Sequence, residues 1–215
     1  MPRLYPCRVG WYSSLIQQKL RTSGGAIQLP KKAIYAKFNL NAAQRESFDA
    51  DIARLDIVGC VSSSTIPALA PGDEVKEFYV ILIQLKHKEY DSKNIALLTR
   101  LIPQKLVFAL HFEDEVQFAI FHTKLISSVW QTMQDVSLPI SGLNLDSVWD
   151  SIVKSIGQIE VDNDKTLVEQ IAANDKRDKI LSQIATLQKK MANEKQPRRK
   201  RELFSKISTL QNQIP

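Results

Sequence analysis

The residues best suited to chemistry are Gln84, Leu85 and Lys86, which close the apolar run from Phe78 to Leu85. On a strand, positions two apart lie on the same face, so Gln84 and Lys86 would point together. With a carboxylate from a neighbouring strand, that pair can hold Mg²⁺ while the lysine helps to position an attacking water. Asp56 takes this role if residues 57–66 pair antiparallel with 76–86, a register that sets it beside Gln84. Asp73 and Glu77 fit less well, because the extended chain from Glu77 to Gln84 spans about 23 Å. Glutamine is a weak substitute for a second metal-binding acid, and a polar residue followed by lysine is ordinary at a strand end. Asp56, Gln84 and Lys86 therefore stand as the alternative, and no catalytic residue is assigned.

Other reactive side chains are few. His87, His111 and His122 are the only histidines, and no HExxH or HxH spacing links them. Ser62, Ser63, Ser64 and Thr65 lack the GxSxG elbow of a nucleophilic serine. Cys7 and Cys60 match no metal-finger spacing and read as free thiols. The expectation is a chain without metal or cofactor.

Charge carries more information. Residues 1–45 hold eight Lys or Arg and no acid, residues 46–164 hold nine basic and eighteen acidic, and residues 165–215 hold twelve basic and five acidic. The three segments sum to +8, −9 and +7, consistent with the net +6. Two basic groups stand out: Lys31, Lys32 and Lys37 in LPKKAIYAKF, and Lys195, Arg198, Arg199, Lys200 and Arg201 in EKQPRRKRE. Both are candidate phosphate contacts; a solvated loop, or docking of the basic ends on the acidic middle, explains the pattern equally well. No aromatic residue adjoins the second run, so base stacking is not suggested.

These groups are positioned by a sheet between Val75 and Leu125. Phe78 to Leu85 reads as a central strand covered on both faces. Lys105 to Phe112 and Val116 to Leu125, separated by Glu113, Asp114 and Glu115, read as a hairpin. Ile95, Leu98 and Ile102 mark a short helix stopped by Pro103. Upstream, Leu15, Ile16, Lys19 and Leu20 suggest two helical turns ended by Ser23, Gly24 and Gly25. Asn39 or Asn41 caps a helix carrying Phe48, Ile52 and Leu55 and ending near Asp56, followed by a first strand to Pro67. Asp146 is the expected N-cap of a helix whose stripe is Val148, Trp149, Ile152, Val153 and Ile156.

Past Gly157 the composition changes. Ile180, Ile184, Leu187 and Met191 recur at coiled-coil spacing, and Leu203, Ile207, Leu210 and Ile214 repeat it out of phase, with Pro197 between. The shift in phase predicts a helical hairpin or a sharp kink. The organisation is a basic arm over 1–40, a core domain over 41–160 and a basic helical hairpin or coiled coil over 165–215. The expected class is α+β, with a mainly antiparallel sheet of about four strands. No apolar run reaches the roughly 18 residues of a membrane span. The chain is expected to be intracellular, in the cytoplasm.

Two resemblances add to this reading. Gln84-Leu85-Lys86 resembles the (D/E/Q)xK half of PD-(D/E)xK nucleases. The order LPKKAIYAKFNL, EFYVILIQLK, LIPQKLVFAL, FAIFHTKL and QIATLQKKMANEKQPRRKREL resembles the bacterial domain-of-unknown-function family four-three-nine-one, from about Gln28 onward. Pro197 departs from the aromatic or apolar residue more usual there. The second resemblance implies small proteins encoded beside helicases and DNA methyltransferases in restriction-like or phage-defence islands, and it assigns no activity to any residue. The expectation is a non-catalytic accessory subunit that contacts nucleic-acid phosphate. Ile180, Ile184, Leu187, Met191, Leu203, Ile207, Leu210 and Ile214 would bind a helicase- or methyltransferase-type partner or a second copy. A self-assembling structural protein is a further alternative.

Overall fold

The computed structural model describes residues 26–135, 137–138, 140–161 and 166–213. Leu15 to Gly25, Cys7 and Ile214 lie outside these residues. The described chain runs β1 (Ile27–Gln28), α1 (Lys31–Phe38), α2 (Ala42–Asp51), β2 (Ile52–Ser62), β3 (Glu77–Leu85), α3 (Ser92–Leu98), β4 (Lys105–Phe112), β5 (Glu115–Phe121), β6 (Leu125–Ser127), β7 (Gln131–Thr132), α4 (Leu145–Gly157), α5 (Leu167–Asn193) and α6 (Pro197–Gln211). The class is α+β, and the chain divides into two units, Met1–Gln158 and Ile159–Pro215.

The sheet corrects the expectation of about four mainly antiparallel strands. Among the described residues it has seven strands, in the order β1-β2-β3-β4-β5-β6 with β7 also paired to β5. β3 and β4 run parallel, Phe78 opposite Lys105 and Gln84 opposite His111, and the other pairings are antiparallel. Parallel neighbours need a crossover of a dozen or more residues, and the segment holding α3 supplies it. α3 ends at Leu98, so Ile102 lies beyond the helix.

β3 is buried on both faces, as its unbroken apolar run requires. On one face Ile81 and Ile83 join Phe108 and Leu110 beneath Ile34, Phe48, Ile95 and Leu98 from α1, α2 and α3. On the other, Phe78 meets the Trp149 ring of α4 at 5.6 Å. The α4 stripe of Val148, Trp149, Ile152, Val153 and Ile156 is buried as its period predicts. Each such Val or Ile contributes about 2 kcal/mol of transfer free energy before ordering entropy is subtracted.

Two helix boundaries differ from expectation. Asn41 does cap α2, in a reciprocal box with Gln44, but the helix stops at Asp51 and Ile52 is already strand. At α4 the cap is Asn144, paired with Ser147, instead of Asp146. Asp146 in the first turn accepts from the backbone N–H groups of Asp73 at 2.6 Å and Val75 at 2.8 Å. These bonds, that to Val75 first, hold its carboxyl below the ordinary carboxylate range. Gly72 permits the approach, since a Cβ there would lie 2.2 Å from Asp146 Oδ1.

In the second unit, Thr166 and Glu169 form a capping box at the start of α5. Three residues separate α5 from α6, and Pro197 occupies the first turn of α6, where its missing N–H leaves no ladder bond unmade. The two helices pack on each other through Ile180, Ile184 and Ile207, with Leu187, Met191 and Leu210 around them. Pro197 thus begins the return helix of a hairpin.

Candidate nucleic-acid interface

The five cations from Lys195 to Arg201 lie at the turn of this hairpin, and all are exposed. Arg198 pairs with Glu202 one turn on at 3.6 Å; its side chain is 94% exposed, so the pair contributes little. The first turn of α6 contains no acid, and Gln196 supplies no side-chain cap. Positive side chains therefore sit at the positive end of the helix dipole, an arrangement that an anion relieves. Beside them is a cleft of about 500 Å³, lined by Lys190, Arg199 and Lys206 together with Glu194 and Glu202. Lys189 and Lys190 precede the turn, so residues 189–206 carry eight basic and two acidic side chains.

Phe204 is the residue at this tip that its sequence neighbourhood did not reveal. It is 63% exposed, three residues beyond Arg201 and four beyond Lys200, which puts it on their side of the helix. The signal was in the sequence at helical spacing; adjacency alone hid it.

The amino-terminal lysines are used differently. Lys31 donates to Asp49 Oδ1 at 2.7 Å and to the Ile52 carbonyl, tying α1 to the α2–β2 junction. Asp49 also accepts from the Tyr35 hydroxyl at 2.5 Å. Its carboxyl is held low by the Lys31 bond first and the Tyr35 bond second, while burial, then the Asp49 bond, pushes the Tyr35 hydroxyl well above its ordinary value. Lys37 donates to the Leu101 carbonyl. Lys32 is exposed. Lys31 and Lys37 thus each tie parts of the fold together, with Lys37 exposed as Lys32 is.

Asp56, Gln84 and Lys86 are only partly brought together. β2 and β3 are antiparallel as expected, but Asp56 faces Leu82, and Arg54 faces Gln84. Asp56, 3% exposed, forms an ion pair with Arg54, whose Nε lies 2.8 Å from Oδ2. The register offsets Asp56 from Gln84 by two residues on the same sheet face. Lys86 lies past the end of β3; its backbone N–H donates to the Asp51 carbonyl at 2.8 Å, and its charge acts on Asp49. Asp73, in the loop before β3, donates its backbone N–H to Asp146, and Glu77 faces Ser62 at the other end of the β2–β3 ladder.

The histidines do not meet. His111 neighbours Gln84 on β3 and Val116 on β5, His87 follows β3, and His122 is in the turn after β5. Ser62 and Thr65 bond to each other in the turn after β2, with Ser64 on the Ser62 hydroxyl. Burial raises the Cys60 thiol. Among the described residues, no three His, Cys, Asp or Glu side chains gather into a metal-binding group, and no helix is long and apolar enough to cross a membrane.

A family model described as a domain of unknown function (DUF4391) matches residues 21–214. The chain belongs to this family. The DUF4391 match spans both units, taking in the sheet, the helices on it and the hairpin with its basic tip. No curated protein and no solved structure matches the chain.

Proposed function

We propose that this DUF4391 chain is a non-catalytic accessory subunit of a bacterial DNA-processing or phage-defence complex. Its hairpin tip contacts nucleic-acid phosphate, and its helical surfaces dock a helicase- or methyltransferase-type protein. The observation that carries the reading is the run from Lys195 to Arg201, five exposed cations of which Arg198 has one weak acidic partner. Such a surface binds phosphate without reading sequence, because charge alone recognises the backbone.

Titrating the full chain with labelled duplex and single-stranded DNA, at low and moderate salt and with and without Mg²⁺, tests this. Salt-sensitive binding without cleavage is the expected result. No binding even at low salt would sink the nucleic-acid part and leave protein docking as the role of the hairpin.

A metal-dependent nuclease is the second reading, favoured by Asp56 and Gln84 lying on the same face of the β2–β3 ladder. Mg²⁺-dependent cleavage abolished by Lys86→Ala would establish it over the first. The Arg54 ion pair already occupying Asp56 weighs against it.

A further inference from the structure

Among the described residues, Phe204 stands outside the packed seam of the hairpin. The seam of the hairpin is built from Ile180, Ile184 and Ile207 with Leu187, Met191 and Leu210, and the Phe204 ring lies 63% exposed. A large apolar ring on the most basic part of the chain is unfavourable in water and adds nothing to a purely electrostatic contact. Its neighbours on the surface of α6 are Lys200 and Arg201, one turn earlier. Lys200 and Phe204 are separated by about 6 Å along the helix axis, so a base on the ring and a phosphate on the lysine can belong to adjacent parts of one strand.

We propose that the tip selects single-stranded nucleic acid, with one base stacked on Phe204 while Lys200 and Arg201 hold the phosphates beside it. The inference rests on the nucleic-acid reading above and narrows it to one class of strand. A duplex keeps its base faces inside the stack, where an aromatic ring on a helix surface cannot reach them. An unpaired strand offers a free face at every nucleotide, and stacking there tolerates any sequence. Association of two copies through Phe204 would bring two like-charged tips together, which the charge count of residues 189–206 opposes.

Fluorescence anisotropy of the full chain with three labelled probes tests the inference: an oligothymidylate strand, an abasic strand of the same length, and a duplex. Phe204→Ala and Phe204→Leu should each weaken oligothymidylate binding by about ten-fold, within a range of about 5- to 100-fold. Phe204→Tyr should stay within about two-fold of the wild type, because it keeps the ring. Binding to the abasic strand and the duplex should not change, nor should the salt slope, since no charge is removed. Equal loss on all three probes, or no loss on any, would overturn the stacking role. The parent reading fails on a different result: Lys200→Gln with Arg201→Gln leaving all three probes bound as before.

Discussion

Neutralising the hairpin tip gives the most direct test of its chemistry. Lys195, Arg199, Lys200 and Arg201 are the cations to replace with Gln, because Arg198 already shares its charge with Glu202. If each of the four meets one phosphate, the slope of log affinity against log salt on a duplex becomes shallower by about 0.9 per contact, or about 3.6 in all. Between about 50 and about 200 mM salt these four contacts make the wild-type affinity fall roughly 150-fold, a component that the variant lacks. On a single strand, at about 0.7 per contact, the corresponding component is roughly 50-fold. Anisotropy of labelled DNA across a salt series reads both slopes directly. All four side chains are exposed, so each substitution should shift stability by about 0.5 kcal/mol or less, and denaturation on the same sample excludes misfolding as the cause. Parallel slopes for wild type and variant would refute the argument, since the bound phosphates would then be neutralised elsewhere.

Three other perturbations follow from the fold. Asp146→Ala removes the acceptor of the Asp73 and Val75 N–H groups and should cost about 2 kcal/mol in urea denaturation. Because the folded state depresses the Asp146 carboxyl, its stabilisation is complete above the ordinary carboxylate value and is lost as pH falls through its lowered one. Asp146→Asn should therefore flatten the acid limb of stability measured against pH. Gly72→Ala drives a methyl to within 2.8 Å of the Asp146 backbone nitrogen and should destabilise by about 2 kcal/mol; unchanged stability would mean that the loop moves freely. Ile184→Asp buries an unpaired charge in the hairpin seam and should lower helical ellipticity while the Trp149 environment, read by fluorescence, stays native.

Features with a local signal were legible in the sequence. The α4 stripe follows a helical period, Asn41 and Gln44 stand at capping-box spacing, and the shift in phase across Pro197 marks the hairpin. Features set by distant partners were not. Asn144 and Asp146 are both plausible caps; the chain uses Asn144 because Ser147 reciprocates, while Asp146 reaches a loop about seventy residues earlier in sequence. The parallel β3–β4 pairing depends on where β4 docks; the helix-bearing link between the strands permits it without requiring it. β1, β6 and β7 are two or three residues long, too short for any period to register. The lysines looked alike as a charge run. Only their bonds to the Asp49 carboxylate and to the Ile52 and Leu101 carbonyls distinguish half-buried Lys31 and exposed Lys37 from Lys32, which is exposed as well. At the tip, Phe204 adjoins the cations only through the helical turn, three and four residues past Arg201 and Lys200, and not in the charged run itself.

The two-sided burial of β3 also makes synthesis a race against time. β2 and β3 can pair as soon as Leu85 has left the ribosome, but the cover for Phe78 is α4, which ends at Gly157. At synthesis rates of about 5 to 20 residues per second, that interval lasts roughly 4 to 14 s. During it the nascent sheet presents Phe78, Val80 and Leu82 bare on one face, a strong target for a hydrophobic holdase or for another nascent chain. A truncated chain ending before Leu145 should accordingly be recovered in the insoluble fraction, whereas one ending at Gln158 should be recovered in the supernatant.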